Sequence, residues 1–509
     1  MKASRLLHSS PISAVVLIST LILSFIIRIK GILEESFAFT YDVGRDLLAV
    51  RDIIVHHNLL FIGPTTGLPG VFYGPWWYYL LVPSYLIGAG SPTVVAAFMV
   101  LTGTVTAILG YSFGRKLGST FLGLFIAGLL SFSPVMHGFT TQIWNPNIAP
   151  LIVMLFYVLL VSAVMLDKNA LLGRCLPLFL SLGVLAGLSL DAEIVFGTLF
   201  IGSVIISIAL LFRSMLTLKR IGIFLVGIVL VLSPRILFEI KNNFIMVRTL
   251  LSSFTGVLPG GSELPFLERI PQRLGFLFQM WTDSVAAGIP LLGLFELLIV
   301  VIVSVLYISK IDILARKIYL FSLLIISVFY IGLLFFSHDI WPHYIVGLPV
   351  VFIILFGIAI HTIMHVYRNL RPGIVVALVL LVVLNIQPVR IWDSFTQPLW
   401  EGDASVYRNQ KSVVEYVYHE AGGRPFKYIV YTPPLHDYTY SYLFSWLGEK
   451  RYNYIPDPTS DKLFFVILEP DHQYPERLTD WLKQRKNDGK IIKEKSVKGG
   501  IVVQTRINP

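Results

Sequence analysis

Stretches of about twenty consecutive apolar residues, the length a helix needs to cross the hydrocarbon core of a bilayer, recur along this chain and constrain its fold more than any other feature. Eleven are read from the sequence, near residues 11–29, 92–111, 119–137, 148–166, 171–190, 194–212, 221–239, 287–309, 318–336, 344–366 and 372–391. The mean hydropathy of +0.75, with only 14% charged residues, lies far outside the range of soluble globular proteins. An all-α polytopic membrane protein of about eleven transmembrane helices is therefore expected. No small-residue cleavage site directly follows the first stretch, which is read as a retained anchor and not as a removed signal peptide.

Loop charge sets the expected orientation. Alternate short loops carry Lys2 and Arg5, Arg115 and Lys116, Lys168 and Arg174, Arg213 with Lys219 and Arg220, Lys310 with Arg316 and Lys317, and Arg368 with Arg371. The intervening short loops, 138–147, 191–193 and 337–343, hold no Lys or Arg. The positive-inside rule then puts the N-terminus in the cytoplasm and the C-terminus outside a multi-pass plasma-membrane protein. The net charge of +10 falls almost wholly in this apolar region, so nucleic acid is not implied as a partner; membrane lipids are.

Charge density changes after residue 391. Residues 392–509 hold 16 Lys/Arg against 15 Asp/Glu, in a segment with no apolar stretch long enough to span. Two domains follow: a transmembrane part, 1–391, and a small extracytoplasmic α/β domain, 392–509. In the latter, Trp392 to Ala404 reads as a connector, followed by a strand at Phe426–Thr432, a helix near Asp437–Gly448, a strand at Leu463–Glu469, a helix near Pro475–Asp488 and a hairpin from Lys490 to Thr505. Cys175 is the only cysteine, so no internal disulfide holds this domain together.

Two outer loops are long, 30–91 and 240–286, and long structured loops on one face are where function is usually placed. In the first, Thr40 to Ile54 reads as an amphipathic helix on the membrane surface, with Leu47, Val50 and Ile54 on its apolar side. Asp42, Arg45 and Asp46 cluster on another side. Two carboxylates at i and i+4 repel, so Arg45, a substrate or a metal must balance them; the alternative is that Asp42 only caps the helix and the rest is a solvated face. Further on, Gly63-Pro64, Pro69-Gly70 and Gly74-Pro75 frame Val71-Phe72-Tyr73 and lead into Trp76-Trp77-Tyr78-Tyr79, which reads as an interfacial aromatic belt or a shaped re-entrant segment.

These residues carry a resemblance. Asp42-Val43-Gly44-Arg45, with Arg51-Asp52 following, is similar to the motif of the glycosyltransferase C superfamily, specifically the lipid-carrier-dependent enzymes of the protein O-mannosyltransferase and lipid A aminoarabinose transferase type. Val43 stands where that pattern has an acidic residue. Tyr73-Gly74-Pro75-Trp76 resembles the later Lys-Pro-Pro-aromatic stretch of the family, without its Lys. The resemblance implies many spans, interfacial helices in the first outer loop, a soluble domain after the last span, and a catalytic Asp at position 42. It implies transfer of a sugar from a polyprenyl-phosphate carrier to a lipid, polysaccharide or protein acceptor on the outer face of the membrane. Such a reaction needs a base for the acceptor hydroxyl, Asp42 or failing it Asp46, and a cation on the departing phosphate, which Arg45 supplies.

Other polar residues fall on the same expected side. Asp191 and Glu193 are either a polar turn or a carboxylate pair for sugar hydroxyls or a divalent cation. His338 and His343, around Trp341-Pro342, suit phosphate when protonated and a metal when neutral. Tyr73, Trp144 and Asn145 are candidate cavity residues, and Arg235 is expected to pair with Glu239 on its own helix. Glu296, inside a span, is the residue that best fits the alternative function, a transporter or flippase of lipid-linked sugars. No cofactor is certain from the sequence; a divalent cation is the candidate.

Overall fold

The computed structural model describes residues 11–167, 172–255, 264–336, 339–386, 403–433, 436–460 and 463–507. Every expected span is represented by a helix: α1 Pro11–Leu33, α4 Pro92–Lys116, α5 Thr120–Phe132, α7 Ala149–Asp167, α8 Leu172–Ala192, α9 Ile194–Leu211, α10 Leu218–Lys241, α13 Pro290–Ile302, α14 Ile313–Leu334, α15 Leu348–Val366 and α16 Arg371–Asn385. Among the described residues nine helices, counted with their continuations, are long and apolar enough to cross a membrane. The stretch near 119–137 is not one straight span: α5 and α6 (Pro134–Thr140) meet at 62°. Pro134 causes the break, since it lacks an N–H and its ring crowds the preceding turn. In α8 the apolar part shortens to Leu176–Ala192. Lys2, Arg5, Lys168 and most of the connector from Trp392 lie outside the described residues.

Starts of helices follow local capping chemistry. Ser119 accepts from the Leu122 amide (3.1 Å) at α5, Thr217 from Arg220 (3.3 Å) at α10, and Asp312 from Leu314 (2.9 Å) at α14. Close helix pairs use small residues. Where α8 crosses α10, a side-chain carbon at Gly183 or Gly227 would overlap the backbone of the opposite helix, so only glycine permits that approach.

The long loops are helical. The first holds α2 (Tyr41–Val55) and α3 (Trp76–Ile87), and the second holds α11 (Ile245–Thr255) and α12 (Phe266–Val285). The C-terminal unit contains α17 (Tyr407–Ala421), β1 (Lys427–Tyr431), α18 (Tyr438–Leu447), β2 (Phe464–Leu468), α19 (Pro475–Gln484), β3 (Lys490–Ser496) and β4 (Val502–Ile507). Its sheet runs β1-β2-β4-β3, parallel between β1 and β2 and antiparallel elsewhere. Helix α17 was not anticipated: it begins just after the connector, and its stripe of Val413, Val414, Val417 and Ala421 is buried.

Strand β2 shows how the unit is held. Phe464, Val466 and Leu468 face one cluster with Trp481 and Leu482 of α19, while Phe465 and Ile467 alternate to the opposite side. That opposite side does not close on a core of its own. It merges with Phe39, Val43 and Leu47 of the first loop in one continuous cluster.

Candidate active site

Helix α2 is gripped from both sides. Phe39 N–H donates to Ser405 O (2.7 Å), Tyr407 N–H to Phe37 O (3.0 Å), and Lys411 Nζ pairs with Glu35 (2.5 Å). Across the helix, Arg51 pairs with Glu449, Tyr442 bonds the Gly90 carbonyl, and Trp446 Nε1 donates to Ala89 O (3.0 Å). Gly44 is where α18 lies on α2, and any side chain there would overlap the backbone at Tyr438 and Thr439. Val43, Leu47 and Val50 are buried. The apolar stripe that suggested a helix lying on the membrane is therefore covered by protein, because α18 and α3 supply the apolar partner that a bilayer was expected to give.

The charged side of α2 is equally ordered. Thr40 occupies the cap position and Asp42 sits within the first turn, so Asp42 is not the cap. Arg45 bridges both carboxylates: Nη1 is 2.8 Å from Asp42 Oδ1, and Nη2 and Nε are 2.8 and 2.9 Å from Asp46 Oδ1. Asp46 is fully buried, and its second oxygen accepts from Trp77 Nε1 at 2.7 Å. Burial pushes the Asp46 carboxyl up to about 6 against the pull of Arg45 and Trp77. Asp42 differs: its side chain keeps 27% of its exposure, and partial burial raises its pKa against the opposing charge of Arg45. Tyr78 also faces Arg45.

A second cluster lies where α8 turns into α9. Glu193 caps α9, accepting from Val195 N–H (3.3 Å), and its other oxygen accepts from the Tyr73 hydroxyl at 2.6 Å. Burial pushes Glu193 up to about 7, and burial, with the neighbouring Glu193 carboxylate, raises the Tyr73 phenol. Asp191, two residues before Glu193, does not share a ligand with it: Asp191 pairs with Arg235 of α10 and packs against Gly74, where a side chain would collide with the carboxylate. This corrects two expectations. The carboxylate pair expected for a divalent cation is separated by its own partners, Arg235 and Tyr73. Arg235 does not pair with Glu239, which instead accepts from the Met246 and Val247 amides (both 3.0 Å) at the start of α11. Among the described residues no group of three or more His, Cys, Asp or Glu is placed to hold a metal ion.

The wall is aromatic. His343 meets Trp144 edge-on at 5.0 Å and Tyr344 at 4.7 Å between ring centroids. Burial lowers His343 to about 4, so at neutral pH its ring is uncharged. His338 lies outside the described residues. Asn145 is buried and ties its loop to the turn, donating to Ala192 O at 2.9 Å, while Trp144 is half-buried. Glu296 sits elsewhere, buried within α13 with no hydrogen-bond partner for either oxygen among the described residues.

No protein-family model and no curated protein matches the sequence. Solved structures do. The crystal structure of ArnT from Cupriavidus metallidurans bound to undecaprenyl phosphate superposes with a TM-score of 0.57 over 98% of both chains at 12% identity. Its apo form gives 0.54 over 97% of both chains, also at 12% identity. The Archaeoglobus fulgidus oligosaccharyltransferase in complex with Zn and sulfate gives 0.50 at 11% identity, over 89% of this chain and 68% of that one. At these identities the likeness is one of fold, shared with ArnT and with the archaeal oligosaccharyltransferase.

Within this fold, several residues of the site were not legible from local sequence. Trp77 and Tyr78 read as an interfacial belt, yet both hold the Arg45 cluster. Arg235 read as half of a local i, i+4 pair, although a cation inside a span was itself a signal. Tyr438 and His436 of the C-terminal unit stack on Tyr41, and nothing local pointed to them.

Proposed function

We propose that the chain is a membrane glycosyltransferase that moves a sugar from a polyprenyl-phosphate carrier to an acceptor hydroxyl on the outer face of the plasma membrane. Residues 1–391 carry the transferase site, and 392–509 form an extracytoplasmic unit that holds it. The observation that carries the reading is the Asp42–Arg45–Asp46 bridge, in which one carboxylate is left accessible beside a guanidinium whose second carboxylate partner is buried. The neighbour with undecaprenyl phosphate bound, similar over nearly its whole length, supports a carrier of that class.

Asp42 accepts the proton of the acceptor hydroxyl, whose oxygen attacks the anomeric carbon. The bond from that carbon to the phosphate oxygen breaks, and the electron pair leaves with the polyprenyl phosphate. Asp42 becomes neutral as it takes the proton. It then loosens its hold on Arg45 Nη1, which turns to the new negative charge. Asp46, bound on both oxygens, is a positioning residue and is unsuited to be the base. Arg235 is a second cation near Gly74, and Tyr73 and Glu193 offer hydrogen bonds to sugar hydroxyls. The single displacement inverts the anomeric centre.

The test is turnover of polyprenyl-phosphate sugar by purified Asp42→Asn protein in vesicles. A loss of about 10²- to 10⁴-fold is expected for a missing general base. Retention of more than about a tenth of wild-type turnover, well above that range, would overturn the assignment.

A further inference from the structure

We infer that the three rings of Tyr41, His436 and Tyr438 form the acceptor subsite and that the group bound there is a carbohydrate, so the acceptor hydroxyl belongs to a glycan. This rests on reading the neighbouring Asp42 as the base of a sugar transfer.

The three rings are nearly parallel. Tyr41 and Tyr438 lie 5.9 Å apart at 24°, Tyr41 and His436 6.3 Å at 24°, and His436 and Tyr438 5.1 Å at 13°. His436 is exposed and the two tyrosines are half-buried. Rings that fill a core in this protein often meet edge to face, as Tyr418 with Phe426 at 83° and Phe426 with Phe465 at 89°. Other core pairs stack, as Phe196 on Phe200 at 13°; what sets this terrace of three rings apart is its place at the surface, where the exposed His436 ring can offer a face to a ligand.

The terrace also leaves its polar groups unspent. Tyr442 and Trp446, on the same helix as Tyr438, use their polar atoms to dock on Gly90 and Ala89. His436 and Tyr438 make no such bond among the described residues, and Tyr41 reaches only Arg45, at 3.5 Å. A flat apolar surface rimmed by free hydroxyl and imidazole groups and by Asp437 matches a pyranose ring, which has an apolar C–H face and a girdle of hydroxyls. An acyl chain needs no polar rim, and an extended peptide needs backbone partners that three side chains do not provide.

Position completes the case. Tyr41 immediately precedes Asp42, and the Arg45 guanidinium lies 5.5 Å from the Tyr41 ring while bonding Asp42. A sugar stacked on the terrace presents its hydroxyls to the base. The two halves of the terrace come from the first loop and from the C-terminal unit, which makes that unit part of acceptor recognition.

Saturation-transfer NMR on the full-length protein in nanodiscs tests this without donor or turnover. The probe is the mixture of oligosaccharides released by mild acid from the source cell's own envelope, run beside a tryptic peptide digest of the same envelope. Saturation of pyranose ring protons is expected, about tenfold weaker binding in His436→Ala and in Tyr438→Ala, and a smaller loss in Tyr438→Phe, which keeps the ring and removes only the hydroxyl. The readout is binding in the absence of donor, so it stands apart from the turnover that tests Asp42 as the base. Glycan saturation unchanged in both alanine variants, no saturation of any oligosaccharide, or saturation confined to peptide would each overturn the inference. Thermal melting of each variant guards against misfolding, and the exposed His436→Ala keeps the test decisive if Tyr438→Ala loosens α18.

Discussion

Two arginine–carboxylate clusters, Asp42–Arg45–Asp46 and Asp191–Arg235, differ in how far their carboxylates are buried. Around Arg45 two carboxylates share one guanidinium, one fully buried and bound by Trp77, the other accessible. Around Arg235 a single carboxylate, Asp191, is 3% exposed and sealed beneath Gly74. The first cluster has a spare acceptor that can change protonation without collapse of the rest. The second has none, so it acts as a clamp that fixes the Gly74–Trp76 turn. The same pairing leaves one carboxylate accessible around Arg45 and none around Arg235.

Breaking that contrast at its strongest point means Asp42→Asn, where a loss of about 10²- to 10⁴-fold in turnover should leave melting temperature unchanged. The clamp should respond in the opposite way. Asp191→Asn strands Arg235 in a buried site, and removing one partner of such a pair typically costs about 3–5 kcal/mol. Chemical or thermal melting in detergent should therefore drop sharply, and a variant melting like wild type would show the pair to be incidental. Gly44→Ala sharpens the comparison from outside the charges: it pushes α18 off α2, with an expected cost of about 1–3 kcal/mol and weakened glycan binding.

A smaller effect concerns pH. Burial raises both Glu193, to about 7, and Asp46, to about 6, above their unfolded values. A carboxyl raised in the folded state favours folding while it stays protonated, so this contribution is present at low pH and is lost as pH rises from about 4 through 7. Melting temperature should fall over that window, and Glu193→Gln should flatten its upper part. Smallest of all is Glu296→Gln. Glu296 has no partner among the described residues and lies apart from both clusters, so transfer should stay near wild type; a severe loss of transfer would bring back the transporter reading.

Much of this was legible in the chain, for identifiable reasons. The spans could be read because each satisfies its backbone internally and needs only some twenty apolar residues. Helix α2 and the trio Asp42, Arg45 and Asp46 could be read because i, i+3 and i+4 neighbours on a helix meet whatever the rest of the chain does. Helix α17 escaped because its apolar stripe is short and mixed with charge, and the bend at Pro134 because hydropathy averages over a break.

What hydropathy and local spacing determined by themselves was therefore a membrane bundle, a C-terminal α/β unit and one charged helix turn. Only the tertiary structure decided which partners each charge would take. Arg235 finds Asp191 44 residues away, Tyr73 finds Glu193 at 120, and Arg51 finds Glu449 at 398. A buried charge or hydroxyl must be satisfied by whatever packing brings to it, and that packing is a property of the whole chain, not of any window along it.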